Sequence, residues 1–259
     1  MITLTSDFGL RDPYVAEMKG VILTINPNAT VIDVTHEIEK FDIRKAAFIL
    51  ASAVPYFPNG TVHLAVVDPG VGTQRRAIVV QAKKGFFVGP DNGILILAAQ
   101  NQGIEHVYHL TNSKFMQPKV SSTFHGRDVF APAAAYLEKG VQPAEFGPEV
   151  KDPIIPAFVK VKYSSGSLTG EILDVDGFGN IITNINEKDM VCKEGKTVSV
   201  KLTGASIKLL FGKAYAQAKR NEPILLIGSH GFLEIALNQA SAAEKFYVKA
   251  GDKIKVTVA

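Results

Sequence analysis

Strand-like and helix-like segments alternate through the first 160 residues, and this alternation restricts the possible folds more than any other feature. β-Branched or apolar runs at 1–5, 30–34 and 63–67 are separated by segments with helical spacing of apolar residues at 14–25 and 43–54. Consecutive parallel strands need crossover helices of this kind. We therefore expect residues 1–162 to form an α/β domain with a largely parallel central sheet.

The pattern changes near residue 160, where strands separated by turns replace the alternation. Strand-like runs follow at 169–175, 180–185, 197–202, 223–228, 232–236 and 253–258, and only 240–245 looks helical. Short strands at this spacing favour a small all-β, barrel-like domain over residues 168–259. The polar, glycine-containing segment 163–167 is expected to link the two domains.

Composition narrows the class of protein. Of the 259 residues, 46% are hydrophobic and 20% charged, and the net charge of +3 comes without a long basic run, so nothing points to a nucleic-acid partner. The single cysteine, Cys192, excludes an intrachain disulfide and fits a reducing compartment. No apolar run approaches the roughly 20 residues that span a bilayer, and the first residues lack a signal peptide's features. We expect a soluble cytoplasmic protein without a membrane partner.

Acids and glycines follow the strands of the first half. They occur in S-D-F-G at 6–9, D-P-G-V-G-T at 68–73, D-N-G at 91–93 and H-G-R-D at 125–128. A single Asp-Gly or Asn-Gly pair is most often turn chemistry. Four such turns near strand ends favour a polar cleft, because ligands bind at the carboxyl edge of α/β sheets.

Individual residues near these turns receive separate predictions. Arg75 follows Asp68 closely enough to share a small volume with it, whereas Arg76 has no motif support and is expected to face solvent. His63 lies within a strand, which favours a structural role. Asp128 is predicted to cap a helix over 129–137.

Several familiar sites are absent from the sequence. The six histidines show no metal-ligand spacing, so no metal is expected. There is no G-x-S-x-G nucleophile elbow. Gly70-Val71-Gly72 lacks the third glycine and the following helix of a dinucleotide fingerprint.

Two further turns stand out in the second half. D-V-D-G-F-G-N at 174–180 joins two strands, and G-S-H-G-F-L-E at 228–234 interrupts an apolar context. A hairpin turn is the simpler interpretation of the first. Backbone amides exposed at such glycine turns can also bind a carboxylate.

Taken in order, six motifs resemble one family. These motifs look like those of the S-adenosyl-L-methionine (SAM) hydroxide adenosyltransferases, relatives of the fluorinases and chlorinases. They are S-D-F-G at Ser6, V-D-P-G-V-G-T at Val67, G-P-D-N-G at Gly89, F-H-G-R-D at Phe124, D-G-F-G-N at Asp176 and G-S-H-G-F-L-E-I-A at Gly228. The resemblance implies hydrolysis of SAM to adenosine and methionine without a cofactor. It also implies an α/β domain, a β-barrel domain and a homotrimer with active sites between subunits.

The same resemblance implies roles for single residues. Asp68, Arg75 and His125 match the set around the attacking water, and Asp7 matches the acid that binds the ribose hydroxyls. Asp176 and Asn180 match contacts to the methionine ammonium and the adenine, and Ser229 matches a contact to the methionine carboxylate. His230 stands where relatives carry Phe or Arg, so a carboxylate contact there would depend on the backbone amide.

The chemistry leaves two roles open within the set around the water. His125 titrates near neutrality and is the natural general base, with Asp68 orienting the water; alternatively, Arg75 stabilises hydroxide electrostatically. Two other functions also stay open. A halogenase using SAM is disfavoured because Asp68 would repel a halide, and a non-catalytic adenosine- or SAM-binding protein would keep the pocket without turnover.

Overall fold

The computed structural model describes residues 1–202 and 205–258 and divides into two compact units, Met1–Ile155 and Pro156–Ala259. The first unit contains six strands: β1 (Ile2–Ser6), β2 (Val31–Thr35), β3 (Thr61–Val66), β4 (Ala77–Ala82), β5 (Gly85–Pro90) and β6 (Ile104–His109). Its four α-helices are α1 (Tyr14–Ile25), α2 (Ile43–Ala53), α3 (Ile96–Gln102) and α4 (Ala131–Glu138). No helix of the described ranges is long and apolar enough to cross a membrane.

The sheet of the first unit is mixed, so a largely parallel sheet is not confirmed. Its order is β2-β1-β3-β5-β4-β6; the first four strands are mutually parallel, while β4 runs antiparallel to both β5 and β6. The cause is local. Lys83 and Lys84 form a two-residue hairpin between the paired residues Ala82 and Gly85, and so short a connection permits only antiparallel pairing.

The core of the first unit explains which strand residues face the helices. Ile2 and Leu4 pack with Met18 and Ile22 of α1 and with the small residues of α4. Successive side chains of a strand point to opposite faces. Residues such as His63, which alternate with this apolar set, therefore face the other side of the sheet, where its ring lies 5.8 Å from that of Phe57.

A π-helix, Gly126–Phe130, precedes α4 and corrects one prediction. Asp128 was expected to cap a helix that starts at 129, but it lies inside the π-helix, which continues directly into α4. Its buried carboxylate accepts hydrogen bonds from Ser121 N at 2.8 Å and from Arg127 Nε at 2.7 Å instead. π-Helical turns are rare and occur frequently at functional sites.

The second unit is a closed barrel. Its strands are β7 (Lys162–Ser164), β8 (Ser167–Val175), β9 (Ile181–Asn186), β10 (Thr197–Leu202), β11 (Ala205–Phe211), β12 (Pro223–Ile227), β13 (Phe232–Leu237) and β14 (Lys253–Val258), with helix α5 (Ala242–Phe246) before the last strand. Seven strands in the order β14-β10-β11-β12-β13-β9-β8 close through a β14–β8 pairing, and β7 pairs with β8. The all-β second half is thus confirmed.

The predicted linker over 163–167 belongs to a hairpin. Ser164 pairs with Ser167 across a two-residue turn in which Gly166 adopts φ +72°, so the segment connects β7 to β8. The boundary between the compact units lies earlier, at Ile155–Pro156. Flexible turn residues signal a hairpin as strongly as a linker, which is why sequence misplaced the boundary.

Candidate active site

Arg75 contacts both Asp68 and His125 at the edge of the first unit's sheet. Arg75 Nε lies 3.0 Å from Asp68 Oδ1 and 2.9 Å from Oδ2, and Arg75 Nη2 lies 2.5 Å from Oδ2. The same Nη2 lies 2.7 Å from His125 Nδ1. The guanidinium therefore joins the carboxylate to the imidazole, so the structure brings this predicted set together.

Two loops carry these residues, and glycine permits their close approach. Asp68 follows β3, and the loop continues through Gly72, which adopts φ +76°. A Cβ at Gly72 would lie 2.4 Å from the carbonyl oxygen of Ser122, in the loop that precedes His125. Only glycine can combine this backbone conformation with this contact. The glycine of the V-G-T motif therefore allows the loop of Asp68 and Arg75 to pack against the loop of His125.

The Asp68–Arg75 ion pair is shielded from water. The side chains of Asp68 and Arg75 are only 6% and 11% exposed, and the guanidinium carbon lies 5.2 Å from the centre of the Phe130 ring. Charge pairs with so little solvent contact are weakly screened. The pair is a fixed electrostatic element of the site.

His125 is biased towards its neutral form. Partial burial and the adjacent Arg75 guanidinium lower its pKa below the usual value, although Asp68 and Asp128 act in the opposite direction. Because a guanidinium has no acceptor, Arg75 must donate to Nδ1. The neutral imidazole therefore carries its proton on Nε2.

A cavity of about 410 Å³ opens beside this set and also contains Asp7. Its lining residues include Asp7, Phe8, Asp12, Tyr14, Lys40, Phe41, Val66, Asp68, Phe124 and His125. The rings of Phe8, Tyr14 and Phe124 pack with centroids 5.1–5.8 Å apart and form an aromatic wall. The cavity thus combines carboxylates with aromatic surface, a combination suited to a polar ligand with an apolar ring.

Asp7 is held in place by the segment that follows β2. It is 6% exposed, and its Oδ2 accepts a hydrogen bond of 2.9 Å from Phe41 N. Lys40 Nζ contacts the backbone oxygen of Asp7. Phe41 adopts φ +67° and is 66% exposed. A non-glycine residue in this conformation is uncommon and is found where surrounding structure over-determines it, often at binding sites.

The remaining predicted residues lie in the second unit. A cavity of about 730 Å³ is lined by Asp176, Asn180, Ser229 and His230. Asp176 Oδ2 accepts from Asn180 Nδ2 at 2.9 Å, and Oδ1 accepts from the backbone amides of Phe178 and Asn180. The D-G-F-G-N motif is therefore a tight turn whose carboxylate and amide face one cavity.

A buried acid in this second cavity escaped the sequence predictions. Glu234 is 3% exposed; its Oε1 accepts from the Tyr215 hydroxyl at 2.9 Å, and its Oε2 lies 3.1 Å from His230 Nε2. His230 Nδ1 accepts from Phe232 N at 3.2 Å, so both ring nitrogens have protein partners. Burial and Glu234 raise the pKa of Tyr215 to about 12. The available signal was an acid inside the apolar strand F-L-E-I-A-L.

Arg76 is half-buried and ion-paired, whereas the sequence predicts a residue that faces solvent. Its Nε donates to Asp91 Oδ2 at 2.8 Å, and Nη1 donates to Asp152 Oδ1 at 2.7 Å. Asp91 is 1% exposed and also accepts from Ile154 N at 2.9 Å. Arg76 thereby fixes the end of the first unit to its sheet. Sequence gave no sign of this because the partners lie 15 and 76 residues away.

Among residues 1–202 and 205–258, no group of three or more His, Cys, Asp or Glu side chains is arranged to hold a metal ion. The polar clusters instead form internal ion pairs and hydrogen bonds.

Comparisons with known proteins identify the family of this chain. The family models of the SAM hydroxide adenosyltransferase N-terminal and C-terminal domains match residues 2–147 and 170–255. A relative from Salinispora tropica named (R)-S-adenosyl-L-methionine hydrolase is 39% identical, over 99% of this chain and 97% of its own length. A fluorinase from Actinoplanes is 30% identical over 100% and 98% of the two chains. A crystal structure of an uncharacterized conserved protein from Thermotoga maritima superposes with a TM-score of 0.88 at 38% identity, covering 100% of both chains. The chain belongs to the SAM hydroxide adenosyltransferase family.

Proposed function

We propose that the protein hydrolyses S-adenosyl-L-methionine to adenosine and L-methionine. The contact of Asp68, Arg75 and His125 beside a cavity that also holds Asp7 carries this proposal. The names of the relatives support it, and because those names specify the (R) form of the substrate, we include a preference for that sulfonium epimer.

The reaction is an in-line displacement at the ribose C5′. A bond forms between C5′ and the oxygen of water, while the bond between C5′ and the sulfonium sulfur breaks. The electron pair stays on sulfur and gives neutral methionine, so no acid has to protonate the leaving group. One proton leaves the water, and the Asp68 carboxylate, which lines the cavity, accepts it.

The observed contacts favour Asp68 over His125 as the proton acceptor. Arg75 donates to His125 Nδ1, and the neutral ring carries its proton on Nε2, so His125 can donate a hydrogen bond to water. A carboxylate has about four lone-pair sites and keeps acceptor capacity beside Arg75. We therefore assign His125 and Arg75 to orienting and stabilising the developing hydroxide, and Asp68 to accepting its proton.

The other predicted residues complete the substrate site. Asp7 binds the ribose hydroxyls, Asn180 the adenine, Asp176 the methionine ammonium and Ser229 the methionine carboxylate. At His230 the backbone amide is the proposed contact to that carboxylate, because Glu234 and Phe232 N occupy the ring nitrogens.

The proposal includes a homotrimer with active sites at subunit interfaces, a cytoplasmic location and turnover without cofactor or metal. These features rest on the family resemblance. Light scattering should give the mass of three chains, and protein treated with a chelator should keep its full rate.

Incubation with SAM in H₂¹⁸O tests the reaction. Adenosine labelled at its 5′-hydroxyl is the expected product, formed faster from the (R) than from the (S) sulfonium epimer. A second incubation, in unlabelled water with added chloride or fluoride, distinguishes a hydrolase from a halogenase. A halogenase would yield a 5′-halogenated adenosine. Binding of SAM with no adenosine after long incubation would leave only the binding-protein interpretation.

Asp68→Asn tests the assigned roles. The variant keeps the shape of the side chain but loses its basicity, so kcat should fall by about 10²–10⁴-fold, as for loss of a general base. Asp152→Asn is the matched control, because Asp152 also pairs with an arginine but is 83% exposed. Full activity of Asp68→Asn would contradict the assignment.

A further inference from the structure

Two residues of the F-H-G-R-D motif have no part in the proposed reaction, yet they make a dense set of contacts. Arg127 donates to both oxygens of Asp128, from Nε at 2.7 Å and from Nη2 at 3.1 Å. Its Nη1 donates to Glu17 Oε2 on α1 at 2.8 Å. The ion pair thus joins the π-helix to a neighbouring helix immediately after His125.

Asp128 also holds the loop that precedes His125. The carboxylate is 1% exposed, and its Oδ2 accepts from Ser121 N at 2.8 Å. Ser122, the next residue, is the one whose carbonyl oxygen leaves no room for a Cβ at Gly72. One buried carboxylate therefore fixes both the loop of His125 and the surface against which the loop of Asp68 and Arg75 rests.

Arg127 fixes the aromatic wall of the cavity in the same way. Its guanidinium carbon lies 5.1 Å from the centre of the Phe124 ring, and Phe124 precedes His125 in the chain. Phe124 in turn packs against Phe8 and Tyr14. Gly126 permits this packing, because a Cβ there would lie 3.1 Å from the Phe124 ring and 3.3 Å from Met18 Sδ.

We propose that the Asp128–Arg127 ion pair is a positioning device that holds the His125 imidazole against Arg75 in the orientation needed for reaction. Neither residue lines the cavity, so both act through His125 and Phe124. The geometric demand is strict, because a displacement of about 1 Å at a reacting group can cost about 10²-fold in rate.

Charge gives the device a second, measurable effect. The charged groups that act on His125 are Arg75, which lowers its pKa, and Asp68 and Asp128, which raise it. Loss of the Asp128 charge should therefore lower the pKa of His125 further. If the neutral imidazole is the active form, the acid limb of the pH profile moves to lower pH.

Asp128→Asn is the principal test, and its kinetic part rests on the proposed hydrolysis. We expect kcat/KM for SAM to fall about 10²-fold at pH 7 and the acid limb to shift to lower pH. Arg127→Lys keeps both charges but loses the two-pronged contact, so kcat should fall while the acid limb stays in place. Arg127→Lys leaves the Asp128–Ser121 contact in place. It therefore tests the proposal even if Asp128→Asn does not fold.

Asp91→Asn is the matched control. Asp91 has the same exposure as Asp128 and the same kind of partners, an arginine Nε and a backbone amide, but it is not among the charged groups that act on His125. It should lose comparable thermal stability while keeping wild-type kcat/KM and pH profile. If Asp91→Asn lost as much activity as Asp128→Asn, the effect would be one of general stability and the proposal would be wrong.

A spectroscopic measurement tests the device without turnover. Long-range ¹H–¹⁵N spectra, with His125 assigned from a His125→Gln variant, should show the Nε2–H tautomer in the wild type and a mixture of tautomers in Asp128→Asn. If the wild type forms no adenosine but the tautomer of His125 still differs between the wild type and Asp128→Asn, only the proposed reaction is overturned. Active wild type with an unchanged tautomer and pH profile in Asp128→Asn would overturn the positioning device.

Discussion

His63 should make the first unit sensitive to acid. The side chain is 1% exposed, its Nδ1 lies 2.9 Å from Thr3 Oγ1, and its ring lies 5.1 Å from that of Phe87. Burial lowers the pKa of His63 from 6.5 to about 4. Protonation would therefore place a charge in the packed interior, and the unfolded chain takes up that proton more readily than the folded one.

The magnitude follows from the two pKa values. A depressed folded-state pKa means that the stabilisation is complete above pH 6.5 and is lost as the pH falls towards 4. Each pKa unit corresponds to about 1.4 kcal/mol, so the full loss is about 3 kcal/mol, and about 2 kcal/mol is gone by pH 5. Such a loss is a large fraction of a typical unfolding free energy of about 5–15 kcal/mol.

The assay compares the wild type with His63→Phe, combined with Thr3→Val to avoid a buried hydroxyl without a partner. Urea unfolding of both proteins between pH 8 and pH 4.5 gives the pH dependence of the unfolding free energy. The other five histidines are shared, so the difference between the two curves isolates His63. The wild type should lose about 2 kcal/mol more than the variant by pH 5. Parallel curves, or an NMR titration of His63 near pH 6.5, would refute the reasoning.

Two further predictions concern the backbone and the buried charges of the same unit. Gly72→Ala should lower the melting temperature and the activity, because its Cβ would lie 2.4 Å from Ser122 O. Gly60→Ala is the control: Gly60 has φ +84° and nothing within 4 Å of its Cβ position, so this variant measures the conformational cost alone. An equal loss of stability in both variants would rule out the contact with Ser122 as the cause. Arg76→Met should destabilise the protein by about 3–5 kcal/mol in chemical unfolding, because Asp91 would stay buried without its guanidinium partner. Simultaneous Asp91→Asn should recover part of that loss, and no recovery would locate the cost elsewhere.

Local patterns in the sequence determined the character of each half and most of the chemistry. Alternating strand and helix signals predicted an α/β first half, and turn-separated strands predicted an all-β second half, because hydrophobic periodicity records which face of each element is buried. The motifs that follow the strands pointed to Asp68, Arg75 and His125, and to Asp7. Asp7 and Asp68 lie near the same edge because each follows one of the neighbouring parallel strands β1 and β3.

Tertiary structure decided what depends on residues distant in the chain. Lys83–Lys84 looked like a hairpin in the sequence, but its consequence, an antiparallel β4 inside the sheet, appears only once the strand order is known. Segment 163–167 has the composition of either a linker or a turn, and pairing with β8 decided for the turn.

The roles of individual side chains divide along the same line. His125 was predicted as a site residue from its motif, but its proton lies on Nε2 because Arg75, 50 residues away, donates to Nδ1. The sequence predicts a helix cap at Asp128 and a surface residue at Arg76, yet the buried Asp128 pairs with Arg127, and Arg76 pairs with the buried Asp91. Residue type and spacing fix which chemistry is possible at a position. Which partner a charged group finds is set by packing between segments, because burial makes an unpaired charge too costly to keep.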